Sequence, residues 1–300
     1  MHPITRFAPS PTGLLHAGNA FAALYCAHWA SEHHARLLLR IEDIDHTRCL
    51  PHFADAILED LHWLGLKWEE PVRKQSEHTQ AYQQAIEMLR ETGFIYPCFC
   101  TRKAIRAELD SIGLAPHSED AASYYPGTCR QIALAEQEKR MGREPFAWRL
   151  DVGKAVARIG IAPGWHDING LLHPAGLTHD VIIGRKDIAY SYHLAVVVDD
   201  AAQGVTHVIR GEDLQSSTGI HRLLQTLLGL PEPAYLHHPL LKTPTGERLA
   251  KRIGSSTLRN LRETGVNPER LRHYLLHECQ HVWPFIDSDQ AAILASLGEK

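Results

Sequence analysis

A strand, a tight turn, a helix and a second strand open this chain, and that succession commits it to a parallel sheet. Residues 3–9 form a short strand-like segment that runs into the turn-rich Ser10-Pro11-Thr12-Gly13. Ala17, Ala20, Phe21, Leu24, Tyr25 and Trp29 then recur at helical spacing. Ala35-Arg36-Leu37-Leu38-Leu39-Arg40-Ile41 has the pattern of a buried strand and ends in the acidic cluster Glu42-Asp43-Ile44-Asp45. A helix between two strands makes a crossover, so the expected class is α/β. In open sheets of this kind ligands bind beyond the carboxyl ends of the strands. That singles out the turn at 10–13 and the acidic cluster.

Further along, helical patterns fill about 52–64 and 78–92. The segment 98–144 changes character and has the look of an insertion, with Cys98-Phe99-Cys100 at one end and Tyr124-Tyr125-Pro126-Gly127-Thr128-Cys129-Arg130 nearer the other. Strands are predicted at Phe146–Val152, Val181–Ile183, Ala195–Val198 and Val205–Arg210, and a helix at about 215–228. The expected organisation is a catalytic domain over 1–97 and 145–230, the insertion over 98–144, and a small helical C-terminal part over 231–300.

Three hundred residues suffice for about two domains. With 44 % hydrophobic and 22 % charged residues, wholesale disorder is excluded. A net charge of −4 excludes a uniformly basic nucleic-acid binder and leaves room for a local basic face. One such stretch exists. Residues 242–272 carry eight basic and three acidic side chains, a local charge of +5. No apolar run approaches the ~18 residues of a membrane helix, so no membrane partner is expected. The start has neither the basic nor the apolar region of a signal peptide, and the expected setting is the cytoplasm. Six cysteines are too few for a disulfide scaffold. Cys26, Cys49 and Cys279 sit alone and are expected to be small core residues.

Three short patterns carry chemistry. The turn and helix start Pro9-Ser10-Pro11-Thr12-Gly13-Leu14-Leu15-His16-Ala17-Gly18-Asn19 offers backbone N–H groups and a positive dipole end, which suits a phosphate. His16 can donate to a phosphate oxygen, and Gly18 allows close approach of a nucleotide. The loop Gly246-Glu247-Arg248-Leu249-Ala250-Lys251-Arg252 is basic, and Lys251 can neutralise charge developing on a polyphosphate. Cys98, Cys100 and Cys129 give three thiolates in a cytosolic setting, which favours zinc, and zinc takes a fourth ligand. His117 is one candidate for it by chemistry. A fourth pattern is a coincidence: His277-Glu278-Cys279-Gln280-His281 fits a metalloprotease helix, yet only 19 residues follow and no third ligand is in view. It is expected to be a solvated helix face. His33-His34 and His237-His238 are given the same reading.

Taken together, the first two patterns resemble those of a class I aminoacyl-tRNA synthetase. The segment Arg6–Gly13, Leu39–Asp45, Tyr192–Asp200 and Val208–Asp213 are similar to the glutamyl-tRNA synthetase branch, in matching order over about residues 4–255. Only 48 residues follow Arg252, which leaves no room for an anticodon-binding domain. With the cysteine-bearing insertion, this resembles the truncated branch, the glutamyl-Q tRNA(Asp) synthetases. The resemblance implies a Rossmann-like catalytic domain that activates glutamate with ATP, without tRNA. It also implies transfer to the queuosine base in the anticodon of tRNA(Asp), with Mg²⁺ accompanying ATP and a monomeric enzyme. A conventional tRNA-charging enzyme and a non-catalytic RNA-binding relative are the alternatives.

The resemblance assigns glutamate to Arg6, Phe7, Ala8, Pro9, Ser10, Glu42, Tyr192 and Arg210. The chemistry agrees with that assignment. Arg6 and Arg210 offer planar forks for carboxylates, Ser10 and Tyr192 offer hydroxyls, and Glu42 can take the ammonium. ATP falls to His16, Gly18, Asn19 and Lys251. The loop departs from the family pattern, with Arg248 for the usual lysine and Ala250 for the usual serine. The single structural zinc falls to Cys98, Cys100, Cys129 and, in the family, a tyrosine matching Tyr125. The basic stretch at 242–272 is the expected RNA-facing stripe.

Overall fold

The computed structural model describes residues 2–101, 103–105, 125–247, 249, 257–285 and 296–297. The chain runs through β1 (Ile4–Phe7), α1 (Ala17–Glu32), β2 (Arg36–Ile41), α2 (Pro51–Trp63), β3 (Glu69–Lys74), α3 (Thr79–Glu91) and β4 (Ile95–Cys98). Next come α4 (Leu134–Met141), β5 (Ala147–Leu150), α5 (Val152–Ile159), β6 (Trp165–His166), β7 (Leu172–His173) and β8 (Val181–Gly184). Then follow α6 (Tyr192–Ala202), β9 (His207–Gly211), α7 (Thr218–Leu228), β10 (Ala234–His238), α8 (Leu258–Glu263) and α9 (Pro268–His273).

β1, β2 and β3 are parallel, with Ile4 opposite Arg36 and Phe7 opposite Leu39. β9 and β10 form a second parallel pair. The two ribbons meet at Ile4, whose carbonyl accepts the Thr206 N–H at 3.0 Å and whose N–H donates to Thr206 Oγ1 at 2.8 Å. The strand order is therefore 3-2-1-9-10, and direction of winding reverses between β1 and β9. Such a switch point opens a crevice at the carboxyl ends of the two strands. The sheet draws on β10, past residue 230.

A separate antiparallel sheet, β4-β5-β8, sets Ile95 opposite Leu150 and Cys98 opposite Ala147. It delivers the start of the insertion to one edge. The C-terminal helices do not stand apart: Leu258, Leu261, Leu271, Leu275 and Trp283 share one core with Phe21, Leu24, Ile41, Ile57 and Leu61.

One predicted strand is a helix. Ala195–Val198 lies inside α6, where Leu194, Ala195, Val196 and Val197 are all buried among apolar residues of α3 and α7. A run of four apolar residues has no period that separates a buried strand from a helix enclosed on several sides. The metalloprotease-like segment is not a continuous helix either. Helical backbone ends at Glu278, and Gln280 and His281 take φ of 44° and 65°. Cys26 and Cys279 are buried, while Cys49 is half-buried. Among the described residues no helix is long and apolar enough to cross a membrane.

Candidate active site and metal centre

The loop after β1 is fastened to the loop after β2, because the Glu42 N–H donates to Pro9 O at 3.0 Å. Arg6 to Ser10 and Glu42 are thereby held at the same end of the sheet. Arg6 and Glu42 are buried, Phe7 and Ala8 are half-buried, Pro9 is buried and Ser10 is exposed. Tyr192 begins α6 and feels the charges of Arg210, Glu42, Arg6 and Asp200, and burial pushes its phenol up. Of the eight residues expected to hold glutamate, Arg6, Glu42 and Arg210 thus lie close enough to Tyr192 for their charges to act on its phenol.

Behind them lies a charge network that sequence reasoning missed. Arg6 Nε donates to Asp200 Oδ1 at 2.9 Å, and Arg40 Nη1 donates to the same oxygen at 2.7 Å. Arg40 Nη2 reaches Glu42 Oε1 at 3.1 Å. Asp199 takes Arg73 Nε at 2.8 Å, Gln75 Nε2 at 2.8 Å and the Tyr82 hydroxyl. Burial pushes the Asp200 carboxyl up, but Arg6 and Arg40 more than offset this and leave it below the usual range. Burial outweighs Arg40 and Arg6 at Glu42, whose carboxyl is raised. Arg6, Arg40 and Arg73 are matched by Glu42, Asp199 and Asp200. The signal was present in the sequence: adjacent aspartates inside an apolar helical run must meet cations if they are buried.

Arg210 differs. It is buried at the end of β9, and its described partners are all uncharged acceptors. Nε donates to His237 Nε2 at 3.3 Å and Nη1 to His221 Nδ1 at 3.0 Å. Nη2 donates to Leu214 O at 3.2 Å and Thr218 Oγ1 at 2.8 Å. His237 and His238 are accordingly not on a solvated helix face. They lie on β10, with His238 1 % exposed and His237 against Arg210. Period-2 strand geometry gives adjacent histidines different surroundings, which a paired reading overlooks.

At the start of α1, His16 is the N-cap. Its Nδ1 accepts from Gly18 N at 3.1 Å, and Asn19 Oδ1 accepts from His16 N at 3.1 Å. The Gly18 N–H is therefore already taken. A Cβ on Gly18 would meet His16 Cε1 at 2.9 Å, so a larger residue there would oblige the folded-back imidazole to move. With Nδ1 accepting, the ring proton sits on Nε2, the form that can donate to a phosphate. Thr257 bridges to His16, and Leu258 N donates to Leu15 O at 2.8 Å. Arg248, Ala250, Lys251 and Arg252 lie outside the described residues, as does His117.

Comparison with known proteins agrees with this architecture. Residues 4–282 match the catalytic domain of class I tRNA synthetases for glutamate and glutamine. A glutamyl-Q tRNA(Asp) synthetase of Rhodobacter capsulatus is 42 % identical over 282 residues, covering 91 % of this chain and 99 % of the relative. One from Nitratidesulfovibrio vulgaris is 42 % identical over 285 residues, covering 90 % and 84 %. The chain belongs to the glutamyl-Q tRNA(Asp) synthetase family of class I synthetases. A glutamate tRNA ligase of Elizabethkingia meningosepticum, solved with its amino acid, superposes with a TM-score of 0.75 at 28 % identity. It covers 92 % of this synthetase and 61 % of that chain.

At the edge of the antiparallel sheet lies a cluster of three cysteines that could hold a metal ion. The sulfurs of Cys98, Cys100 and Cys129 lie within 4.8 Å of one another. Tyr125 Oη is 3.6 Å from Cys98 Sγ and 3.7 Å from Cys100 Sγ. Zinc bonds of ~2.3 Å to sulfur and ~2.0 Å to oxygen set tetrahedral S···O edges of about 3.5 Å. The four atoms therefore fit one zinc ion. Burial pushes the Tyr125 phenol up, and the Cys129 N–H, which donates to Tyr125 Oη at 2.8 Å, works against that by favouring the phenolate a metal would take.

Proposed function

We infer that this synthetase activates glutamate with ATP and transfers it to the queuosine base in the anticodon of tRNA(Asp). The observation that carries the reading is Arg210, a buried cation whose described partners are all neutral and which, like Glu42, lies close enough to Tyr192 to act on its phenol. Arg6 is already matched by Asp200 and is best suited to orient the 6–10 loop. A substrate with one ammonium and two carboxylates suits such a crevice. Glu42 takes the ammonium, Arg210 the side-chain carboxylate with Tyr192 beside it, and the loop Arg6-Phe7-Ala8-Pro9-Ser10 the remainder.

The α-carboxylate attacks the α-phosphate of ATP, pyrophosphate leaves, and a mixed anhydride with AMP results. A hydroxyl of the queuosine cyclopentenediol then attacks the acyl carbon, AMP leaves, and an ester forms. No protein nucleophile is required, so catalysis rests on positioning and charge. Mg²⁺ enters with the nucleotide as part of the substrate. His16, Gly18 and Asn19 border the phosphates. Lys251 acts on them too, a role supported by the pairing of Thr257 with His16. Zinc on Cys98, Cys100, Cys129 and Tyr125 holds the insertion's shape. Free cysteines agree with a cytoplasmic setting. We take the enzyme to act as a monomer, which sedimentation checks.

Glutamate-dependent ATP–pyrophosphate exchange without tRNA tests the first step, and glutamine is expected to give none. Glutamate should then be accepted by tRNA(Asp) carrying queuosine and not by tRNA(Asp) lacking it, with nuclease mapping placing the label in the anticodon. Label on the 3′ end of tRNA(Glu) would replace this reading with that of a conventional charging enzyme.

A further inference from the structure

Buried arginines normally meet carboxylates; the buried Arg6 and Arg40 do, and so does the half-buried Arg73. Arg210 meets imidazoles instead. A guanidinium has N–H donors and no acceptor, so both rings that touch it must accept. His221 accepts at Nδ1 and so carries its proton on Nε2, which donates to His193 Nδ1 at 3.1 Å. His237 accepts at Nε2, also from the Thr218 hydroxyl at 3.1 Å. His221 is 1 % exposed. Burial and the nearby Arg210 charge hold all three rings below their usual range, His193 and His237 at about 4.

We propose that His221 and His237 form an uncharged collar, that no described residue cancels the charge of Arg210, and that this collar sets the preference for glutamate over glutamine. The proposal rests on the reading that Arg210 receives the substrate's side-chain carboxylate. An aspartate at position 221 would be the ordinary way to satisfy a buried arginine. It would also neutralise the pocket before the substrate arrived, and a neutral amide would then compete on nearly equal terms with a carboxylate. The neutral collar satisfies the donors and leaves the compensating charge to be supplied by the ligand. His193 contributes as the residue that fixes the tautomer of His221.

The test compares His221→Asn with His221→Asp in ATP–pyrophosphate exchange, using glutamate and glutamine. Both variants remove the ring and keep an acceptor oxygen, and only the second adds charge. The expected result is a glutamate KM at least ~10-fold higher in His221→Asp than in His221→Asn, with kcat changing less. The preference for glutamate over glutamine should fall by a similar factor. Equal KM and equal preference in two folded variants would overturn the collar. If His221→Asp shows no cooperative thermal transition, His237→Asn and His237→Asp carry the same comparison, and equality there overturns it. Arg210→Met separates the two levels. An unchanged glutamate KM in that variant rejects the site reading itself, whereas an impaired Arg210→Met beside indistinguishable His221 variants rejects only the collar.

Discussion

The guanidinium of Arg149 lies over the ring of Tyr125, 3.7 Å from its centroid, and its Nε donates to Cys98 Sγ at 3.3 Å. Three thiolates and a phenolate around a divalent ion leave an excess of two negative charges in a buried place. Arg149, itself 5 % exposed, supplies a counter-charge to two of those ligands at once. The purified protein should hold about one zinc per chain, and Cys98→Ser, Cys100→Ser and Cys129→Ser should each lose it. Arg149→Met should weaken zinc retention by ~10–100-fold against a chelator, the usual range for a partner of metal ligands. Tyr125→Phe with undiminished affinity would move the fourth ligand elsewhere.

Acid should destabilise the protein before its carboxylates are exhausted. Burial and the charge of Arg210 hold His193 and His237 at about 4, below the ordinary value near ~6.5. Between those limits the unfolded chain binds protons that the folded chain refuses. Stability contributed by the neutral rings is present above about pH 6.5 and is lost as the pH falls toward 4. Thermal midpoints measured from pH 7 down to pH 4.5 should drop, and His193→Asn should flatten the decline. A slope identical in the variant would rule out this source.

The arginines of the basic stretch are not equivalent. Arg262 Nη1 lies 3.5 Å from Oδ1 of Asp60, a carboxylate that is 0 % exposed and whose oxygens have no hydrogen-bond partner. Burial raises that carboxyl to about 6 despite Arg262. Arg262→Glu should therefore cost about 1–3 kcal/mol of stability. Arg259, 38 % exposed and 3.8 Å from Glu59, makes only a loose surface pair. Arg259→Glu should leave unfolding near the parent value, spare pyrophosphate exchange, and weaken transfer to tRNA with a shallower salt dependence. Denaturant titration and transfer assays at two salt concentrations check both halves. A marked loss of stability in Arg259→Glu would contradict the distinction.

Gly219, one residue after Thr218, faces the loop before β8. A Cβ there would collide with the backbone carbonyl of Ala175. Gly219→Ala should push the start of α7 away from that loop and cost about 1–3 kcal/mol. Because Thr218 Oγ1 holds Arg210 Nη2 at 2.8 Å, the displacement should also raise the KM for glutamate. A parent-like thermal midpoint in this variant would show that the loop can give way.

Much of this molecule was legible in the sequence because its signals are local. The first βαβ unit follows from periodicity and a turn, and the resemblance that fixed the family rests on short runs in order. Glu42 follows a parallel strand, at the end where such a sheet puts ligands, so chain order alone pointed to it, whereas Arg210 was reached through the resemblance. Cys98, Cys100 and Cys129 showed a shared chemistry through their type. The tertiary structure decided what depends on which charges meet. Asp199 and Asp200 read as the tail of an apolar run that resembled a strand, and only packing on α3 and α7 made it a helix. Asp200 then reaches Arg6 and Arg40, 194 and 160 residues away, and spends the charge of Arg6. His221 and His237 carry no sequence signal of function, since a histidine's role is set by its neighbours. Their meeting at Arg210 requires a helix and a strand to converge on one guanidinium, a long-range juxtaposition that local propensity does not encode.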